Sequence, residues 1–222
     1  MNTQTIHQAS LYRSISILLL LTASLLLTSP QLHADSDVAN QTPATIIANT
    51  IDVIMTRLTT DAGLYQDNPE ALHTLVSETV LPHLDIPRIS RMVLGKASRG
   101  ADKVAMARFS DQFRLLLIRT YASSLNQFSG EGVDFPIQEK QLKGGKAAVD
   151  MKILRPGEAT IGMNFRMHNK SGPWLVYDIK IEGISLVANY RAEFASIVRE
   201  QGIEALVDLL QSKNSGVKVA VR

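Results

Sequence analysis

The side chains best suited to proton-transfer chemistry lie in the run from Trp174 to Arg191. Asp178 and Glu182 stand four residues apart in a strand pattern, so their carboxylates share one face and could form an acid and base pair. An alternative interpretation is a solvated outer face with Lys180 between the two acids. The pattern favours this second interpretation, because alternating charges are typical of the wet side of a strand.

Other catalytic and metal-binding signatures are weak. The chain has no cysteine, and none of its five histidines belongs to a His-Glu-x-x-His pair, so a zinc site is not indicated. Residues 183–187 begin like a nucleophile elbow but lack its second glycine. Residues 130–135 lack the third glycine of a dinucleotide fingerprint. The sequence therefore predicts a protein that is not an enzyme and holds neither metal nor cofactor.

Two elements meet at Gly183, next to the two acids. The residues before it alternate between apolar and polar, as in a strand with one buried face. The residues of the buried face are Leu175, Tyr177, Ile179 and Ile181, and those of the outer face are Val176, Asp178, Lys180 and Glu182. After the glycine, apolar residues recur every four positions, as on one face of a helix. They are Leu186, Tyr190 and Phe194. We expect a strand that runs directly into a helix.

Capping signals divide the preceding region into helices. Three helix N-termini are indicated by a capping side chain one or two residues before a proline. They are Thr42-Pro43, Asn68-Pro69 and Asp85-Ile86-Pro87. A long helix follows from about residue 102 to residue 128 and would extend about 40 Å. Its apolar stripe contains Phe109, Phe113, Leu117, Tyr121, Leu125 and Phe128.

From Val133 onward the period changes to two. Strands are predicted over 133–139, 147–154, 159–168 and the run from Trp174, with a hairpin turn at Lys143–Lys146. Two closing helices, 184–199 and 203–211, follow the last strand. Helices segregated from a four-stranded antiparallel meander predict an α+β fold.

The pattern leaves open whether the sheet and the long helix enclose a solid core or a cavity. An apolar stripe at helical spacing usually belongs to a core. The facing strand offers Met163, Phe165 and Met167, however, and methionine suits surfaces that accept variable apolar shapes. We therefore count Phe113, Leu117, Met163 and Phe165 as candidate lining residues of an apolar cavity.

The N-terminal segment resembles an export signal. Arg13 precedes a short apolar run, 15–27, and Leu32-His33-Ala34 resembles a cleavage site, so residues 1–34 are predicted to be a signal peptide. The alternative is an uncleaved anchor. Residues 35–100 then form an N-terminal helical part and 101–211 the part with the long helix and the sheet. Residues 212–222 form a flexible tail.

Net charge excludes some classes of partner. The whole chain carries a formal net charge of +2. This balance argues against a nucleic-acid binder, which needs a clustered basic surplus. It also argues against a protein held on anionic lipid by charge alone.

Several runs of the sequence resemble the MlaC family, also called the toluene-tolerance auxiliary family, of periplasmic phospholipid-binding proteins. The most specific match begins at Trp174 and continues through Tyr177-Asp178 into the residues around Gly183. One departure is Ala97-Ser98, where the family pattern has one or two aromatic residues. The matching runs are Leu81-Pro82 with Asp85, Ile89-Ser90-Arg91, Val93-Leu94-Gly95, Phe109 with Phe113, Tyr121-Ala122, Glu182-Gly183-Ile184-Ser185 and Asn189-Tyr190-Arg191.

The resemblance implies a fold similar to the cone of nuclear transport factor 2, in which a four-stranded sheet is closed by a long helix. It further implies an added N-terminal helical subdomain and a deep pocket for lipid tails, lined by Tyr121 and Ile184. The implied task is to carry phospholipid through the periplasm as cargo. The implied partners are an inner-membrane ABC transporter complex with its lipid-domain subunit and an outer-membrane lipoprotein and porin complex, an arrangement that maintains outer-membrane lipid asymmetry.

Two rival functions remain open on the sequence. One is a small acid-base enzyme on the same cone that uses Asp178 or Tyr177. The other is a scaffold that bridges membrane complexes and has a solid core in place of a pocket.

Overall fold

The structure, a computed structural model, describes residues 41–66, 68–122, 124–125, 133–170 and 172–215. The predicted signal peptide, the predicted end of the long helix at Phe128 and the last seven residues of the predicted tail lie outside these ranges. The helices of the first half are α1 (Pro43–Thr60), α2 (Ala62–Tyr65), α3 (Pro69–Thr79) and α4 (Ile86–Leu94).

Side-chain caps define where three of these helices begin. Thr42, Asn68 and Asp85 each accept a hydrogen bond from the backbone amide three residues later. A proline occupies one of the first two helical positions in each case, where its missing N–H costs nothing. The predicted starts of α1, α3 and α4 are therefore confirmed.

Two longer helices form the second half of the helical layer. The first, α5 (Lys103–Tyr121), begins after the N-cap residue Asp102. The second, α6 (Leu186–Asn214), contains a break at Gly202, whose φ of 84° is left-handed. This break separates the two closing helices that the sequence predicts. The second of them continues past its predicted end at 211, to Asn214.

An antiparallel sheet follows α5, with its strands in consecutive order. The predicted α+β class with an antiparallel meander is confirmed, and a two-residue fifth strand is added to it. The first strand starts after Pro136, later than predicted, because proline has no N–H to donate to a ladder. The strands are β1 (Ile137–Leu142), β2 (Lys146–Ile153), β3 (Ile161–His168), β4 (Leu175–Ile181) and β5 (Ile184–Ser185).

A bulge in β4 changes which of its side chains face the core. Arg166 pairs with Asp178, but the next residue, Met167, pairs with Val176, so Tyr177 is the extra residue. A bulge of this kind reverses the alternation of the strand. Val176 therefore packs in the core of the sheet's inner face, together with Ile179. The predicted assignment of Val176 to the outer face is wrong. Asp178 stays on the outer face, opposite Arg166, but the prediction that it is solvated is wrong, because it is buried.

The aromatic stripe of α5 packs among helices. Phe109 and Phe113 are fully buried, and their rings stack with centroids 5.5 Å apart. Phe113 also meets Tyr190 of α6 edge-on at 5.1 Å. The inner face of the sheet is covered by α1 together with the C-terminal end of α5. Residues of the predicted 35–100 part therefore pack against the 101–211 part in two places, α4 against α5 and α6, and α1 against the sheet.

Candidate functional site

An apolar cavity of about 390 Å³ lies between α1 and the inner face of the sheet. One wall is a face of α1 at helical spacing, and the opposite wall consists of inward side chains from β2, β3 and β4. The α1 wall contains Ile47, Thr50, Ile51, Ile54, Met55 and Leu58. The sheet wall contains Met151, Ile153, Ile161, Met163, Phe165, Val176, Ile179 and Ile181.

The ends of the cavity are formed by turns and by the end of α5. The segment after α3 contributes Val80, His83 and Leu84, and Phe135 lies just before β1. The end of α5 and the residues after it contribute Tyr121, Ser124 and Leu125. Leu84 is fixed to the sheet, because it forms an isolated parallel bridge with Val176 and the next amide, that of Asp85, donates to the Val176 carbonyl.

No described lining residue carries a permanent charge. The polar members are Thr50, His83, Tyr121 and Ser124. The Thr50 hydroxyl donates to the carbonyl of Ile46 at 2.7 Å, so its hydrogen is used within the helix. Burial lowers the pKa of His83 below its ordinary value, which favours the neutral imidazole at pH 7. The cavity therefore offers almost no electrostatic attachment for a polar ligand.

Tyr121 connects the cavity with the helical core. It forms a side-chain hydrogen bond with Tyr190 of α6. Burial is the largest effect that raises the pKa of Tyr190, so the hydroxyl stays protonated over the whole physiological range. The two tyrosine side chains thus link α5 with α6 at the end of the cavity.

The structure separates the predicted site residues into three places. Tyr121, Met163 and Phe165 lie together in the cavity wall. Phe113 and Leu117 belong to the core among α4, α5 and α6, outside the lining of the cavity. Ile184 is 64% exposed and is not among the lining residues.

A tight turn explains the position of Ile184. Glu182 and Gly183 both have left-handed backbone angles, with φ of 50° and 79°, and they turn the chain back upon itself. Ile184 then pairs with Ile181 in the short fifth strand before α6 begins. The expectation that the strand runs directly into the helix is therefore wrong, since a hairpin separates them.

Sequence reasoning missed the α1 wall of the cavity. The apolar stripe of α1 was visible in the spacing of Ile47, Ile51 and Ile54. The spacing does not show which sheet face the stripe packs against, because the stripe could be buried against any apolar surface. The Leu81–His83 turn carried no signal, although His83 and Leu84 close one end.

Asp178 serves a structural purpose in this fold. Only 4% of the residue is exposed, and both carboxylate oxygens accept the Ser185 hydroxyl at 2.8 Å. The Val187 amide donates to the same carboxylate at 3.3 Å. Ser185 in turn accepts the Ala188 amide as the N-cap of α6. Asp178 therefore supports a helix start, whereas Glu182 lies in the turn after β4 and accepts the amide of Gly162.

Membrane spans and metal clusters are both missing from the part of the chain that the structure describes. None of its helices is both long and apolar enough to cross a bilayer. Within the same residues, His, Asp and Glu side chains form no group of three or more that could hold a metal ion.

The sequence profile of the MlaC protein family matches residues 48–212. This match covers most of the chain and includes most of α1, the sheet and most of α6. The chain belongs to the MlaC family. The bounds of the match include nearly all of both walls of the cavity, so the cavity is built from residues that the family profile covers.

Individual relatives show how far this MlaC-family chain diverges from them. It is 27% identical over 166 residues to the toluene tolerance protein ttg2D of Pseudomonas putida, a match that covers 74% of this chain and 77% of that protein. It is 23% identical over 181 residues to the intermembrane phospholipid transport system binding protein MlaC of Haemophilus influenzae, covering 80% of this chain and 85% of that protein.

A solved structure has the same fold. It is the phospholipid-binding protein of Ralstonia solanacearum in complex with a phospholipid, with a TM-score of 0.67 and 24% identity. The match covers 78% of this chain and 97% of the Ralstonia chain. At this level of identity the likeness establishes the fold.

Proposed function

We propose that this chain is an exported phospholipid carrier, which holds acyl chains in the cavity between α1 and the sheet. The observation that carries the proposal is a cavity of about 390 Å³ whose described lining contains no permanent charge. Its size falls within the usual range of small-molecule sites. The named activities of its MlaC relative and of the Ralstonia protein support phospholipid as the cargo.

Tyr121, Met163 and Phe165 are the predicted site residues that we propose contact the acyl chains. Met163 and Phe165 come from the sheet wall, while Tyr121 lies at the end of α5. The six α1 residues of the opposite wall extend the proposed binding set. Phe113, Leu117 and Ile184 leave it, because they lie in the helical core or at the surface.

An apolar, uncharged cavity suits a carrier on energetic grounds. Transfer of acyl chains from water into the cavity would gain about 0.8 kcal/mol per methylene. A lipid that leaves a bilayer already has its chains in an apolar medium, so most of this gain cancels. The remaining free-energy difference is small, and the carrier can both load and release. A charged clamp in the cavity would remove this balance.

The finer proposal concerns where the carrier works. We propose that residues 1–34 direct export to the periplasm. There the protein would move phospholipid between an outer-membrane lipoprotein and porin complex and an inner-membrane ABC transporter complex with its lipid-domain subunit. Energy for directional transport would come from the transporter, and the outcome would be maintained asymmetry of the outer membrane.

Solvent extraction followed by mass spectrometry tests the cargo. The protein is purified without detergent, passed through gel filtration, and extracted. We expect phospholipid at a fixed molar ratio to protein. Absence of phospholipid from protein that is folded by circular dichroism would contradict the proposal and favour a bridging scaffold.

Transport between complexes needs a second experiment. Deletion of the gene should raise the amount of phospholipid in the outer leaflet of the outer membrane, and the wild-type gene should reverse this. The deletion strain could instead show unchanged outer-leaflet phospholipid although the purified protein contains lipid. That result would support lipid binding and contradict the proposed transport route.

A further inference from the structure

The outer face of the sheet, on the side away from the cavity, carries a surplus of positive charge. Strand alternation directs five cations to this face, whereas their neighbours in β2, β3 and β4 point to the cavity side of the sheet. Four acids oppose them: Asp85 is paired with the outward-facing His168, Asp178 is buried against Ser185, Glu182 lies at the edge beside Gly162, and Asp150 is exposed within the face. The five cations are Lys140, Lys146, Lys152, Arg166 and Lys180.

These cations are not neutralised within the described part of the chain. None of the five takes part in an ion pair there. Asp150 accepts a hydrogen bond from the amide group of Asn164 at 2.7 Å, so its carboxylate has a neutral partner. Arg166 lies over the ring of Tyr177 at 5.4 Å, a contact that keeps the guanidinium charge.

The face is open to solvent over β1, β2 and the centre of β3. Helices α4 and α6 approach its edge at β4, where Val187 meets Asp178, and α1 lies on the opposite side of the sheet. Outward residues of β1 and β2 and the central ones of β3 are all at least partly exposed. Ala148 pairs with both Lys140 and Arg166, so a short side chain lies between two cations.

Strand geometry allows the charges to act together. Neighbouring strands are about 5 Å apart, and alternate residues along one strand are about 7 Å apart. The nearest cations are diagonal neighbours on adjacent strands, Lys146 with Arg166 and Arg166 with Lys180, about 7–8 Å apart, which is comparable to the Debye length of about 8 Å at physiological ionic strength. The positive charges of the face therefore act together. The small net charge of the whole chain, which argued against attachment to anionic lipid by charge alone, does not describe this one face.

We propose that this basic sheet face binds reversibly to the anionic phosphate surface of a phospholipid bilayer. Four of its five cations are lysines, a residue type that is depleted at protein–protein interfaces. Among the described outward residues of β1, β2 and β3 there is no Phe, Tyr or Trp, and Leu142, 37% exposed, is their one large apolar member. A diffuse anionic surface needs no such anchor, whereas a protein partner usually does.

The resulting attachment is electrostatic and weak. Each cation near an anionic membrane strengthens binding about fivefold. Without apolar side chains to insert, the protein can leave the surface again, and raised salt releases it. The cavity wall on the opposite side of the sheet stays free of the bilayer in this orientation. The inference stands independently of the proposed cargo.

Vesicle sedimentation tests the proposal with the full-length mature protein. The probes are vesicles of phosphatidylcholine alone and vesicles of phosphatidylcholine with phosphatidylglycerol. The test variant carries Lys140→Glu and Lys152→Glu, both at exposed positions. The matched control carries Lys96→Glu and Lys103→Glu, which change the net charge equally in the helical layer. Melting temperature and bound lipid are measured for each protein.

The proposal predicts that wild type and control sediment with the anionic vesicles and release in high salt. The sheet variant should bind at least about 25-fold more weakly, a factor of five for each lysine removed. None of the three proteins should bind the neutral vesicles. Equal binding of the sheet variant and wild type would overturn the proposal. Failure of the wild-type protein to bind anionic vesicles would also overturn it, even if the wild-type protein bound an acidic protein.

Discussion

Met163→Glu should weaken lipid binding strongly, whereas Ile184→Glu should leave it almost unchanged. Both changes replace an apolar side chain with the same carboxylate. Met163 belongs to the cavity wall, whereas Ile184 is 64% exposed. The pair therefore isolates the effect of the cavity from the effect of an added negative charge.

The size of the effect follows from the apolar surface that Met163 offers to an acyl chain. Replacement of Met163 removes the apolar contact between its thioether side chain and the acyl chain. This loss costs about 1.5–3 kcal/mol. A polar group left in the wall without a partner adds about 1–3 kcal/mol. Together they weaken binding by about 2.5–6 kcal/mol, or roughly 70-fold and more. Ile184→Glu should change affinity by less than about 0.5 kcal/mol, roughly twofold, as at other surface positions.

Titration with a fluorescent phospholipid, after delipidation, measures these affinities. Met163→Gln separates polarity from charge and should lie between wild type and Met163→Glu. Met163→Leu nearly conserves volume and should bind within about 1.5 kcal/mol of wild type. Melting temperatures identify any variant that loses binding because it unfolds. Equal affinity of folded Met163→Glu and wild type would refute the proposed location of the acyl chains.

The remaining predictions concern stability and pH. Phe109→Ala removes a fully buried ring and should lower the free energy of unfolding by about 3–5 kcal/mol in urea titrations, with lipid content per folded molecule unchanged. Asp178→Asn should lower the free energy of unfolding by about 1–2 kcal/mol, because it weakens the support of the α6 cap. Lipid content should stay unchanged. Loss of an enzymatic activity in this variant would instead favour the acid-base enzyme. Burial lowers the pKa of His83, so the folded state resists its protonation and stability should fall as pH decreases below about 6.5. His83→Gln should reduce this fall in thermal melts, and an identical pH profile for wild type and variant would contradict the assignment.

Local chemistry made the helix starts predictable. Thr42, Asn68 and Asp85 each cap a helix through a hydrogen bond to the amide three residues on, and both partners are close in sequence. The turn between β1 and β2 was equally local, because Gly144 and Gly145 have left-handed φ angles of 75° and 62°. Such features depend on a few neighbouring residues and are visible without a structure.

The bulge at Tyr177 was not predictable from alternation. Leu175 to Ile181 reads as a regular strand, and only pairing with β3 reveals that Tyr177 is the extra residue. The bulge turns Val176 to the inner face, whereas Asp178 keeps its outward position opposite Arg166 and is buried there by Ser185 and Val187 at the start of α6, where the sequence suggested a solvated acid. Register between strands depends on contacts that one strand does not encode.

The cavity was partly predictable for a related reason. Alternation placed Met163 and Phe165 on the inner face correctly, because both lie in the regular strand β3. The stripe of α5 gave no indication that Phe113 would face α6 and that α1 would cover the sheet. Amphipathic spacing defines a buried face but leaves its partner open.

A crystal structure of the protein purified with its natural cargo, without added lipid, tests the central claim most directly. We expect electron density for acyl chains between α1 and the sheet, in contact with Tyr121, Met163 and Phe165. Density for acyl chains elsewhere on the molecule, or a cavity closed by its own side chains in lipid-loaded protein, would contradict it.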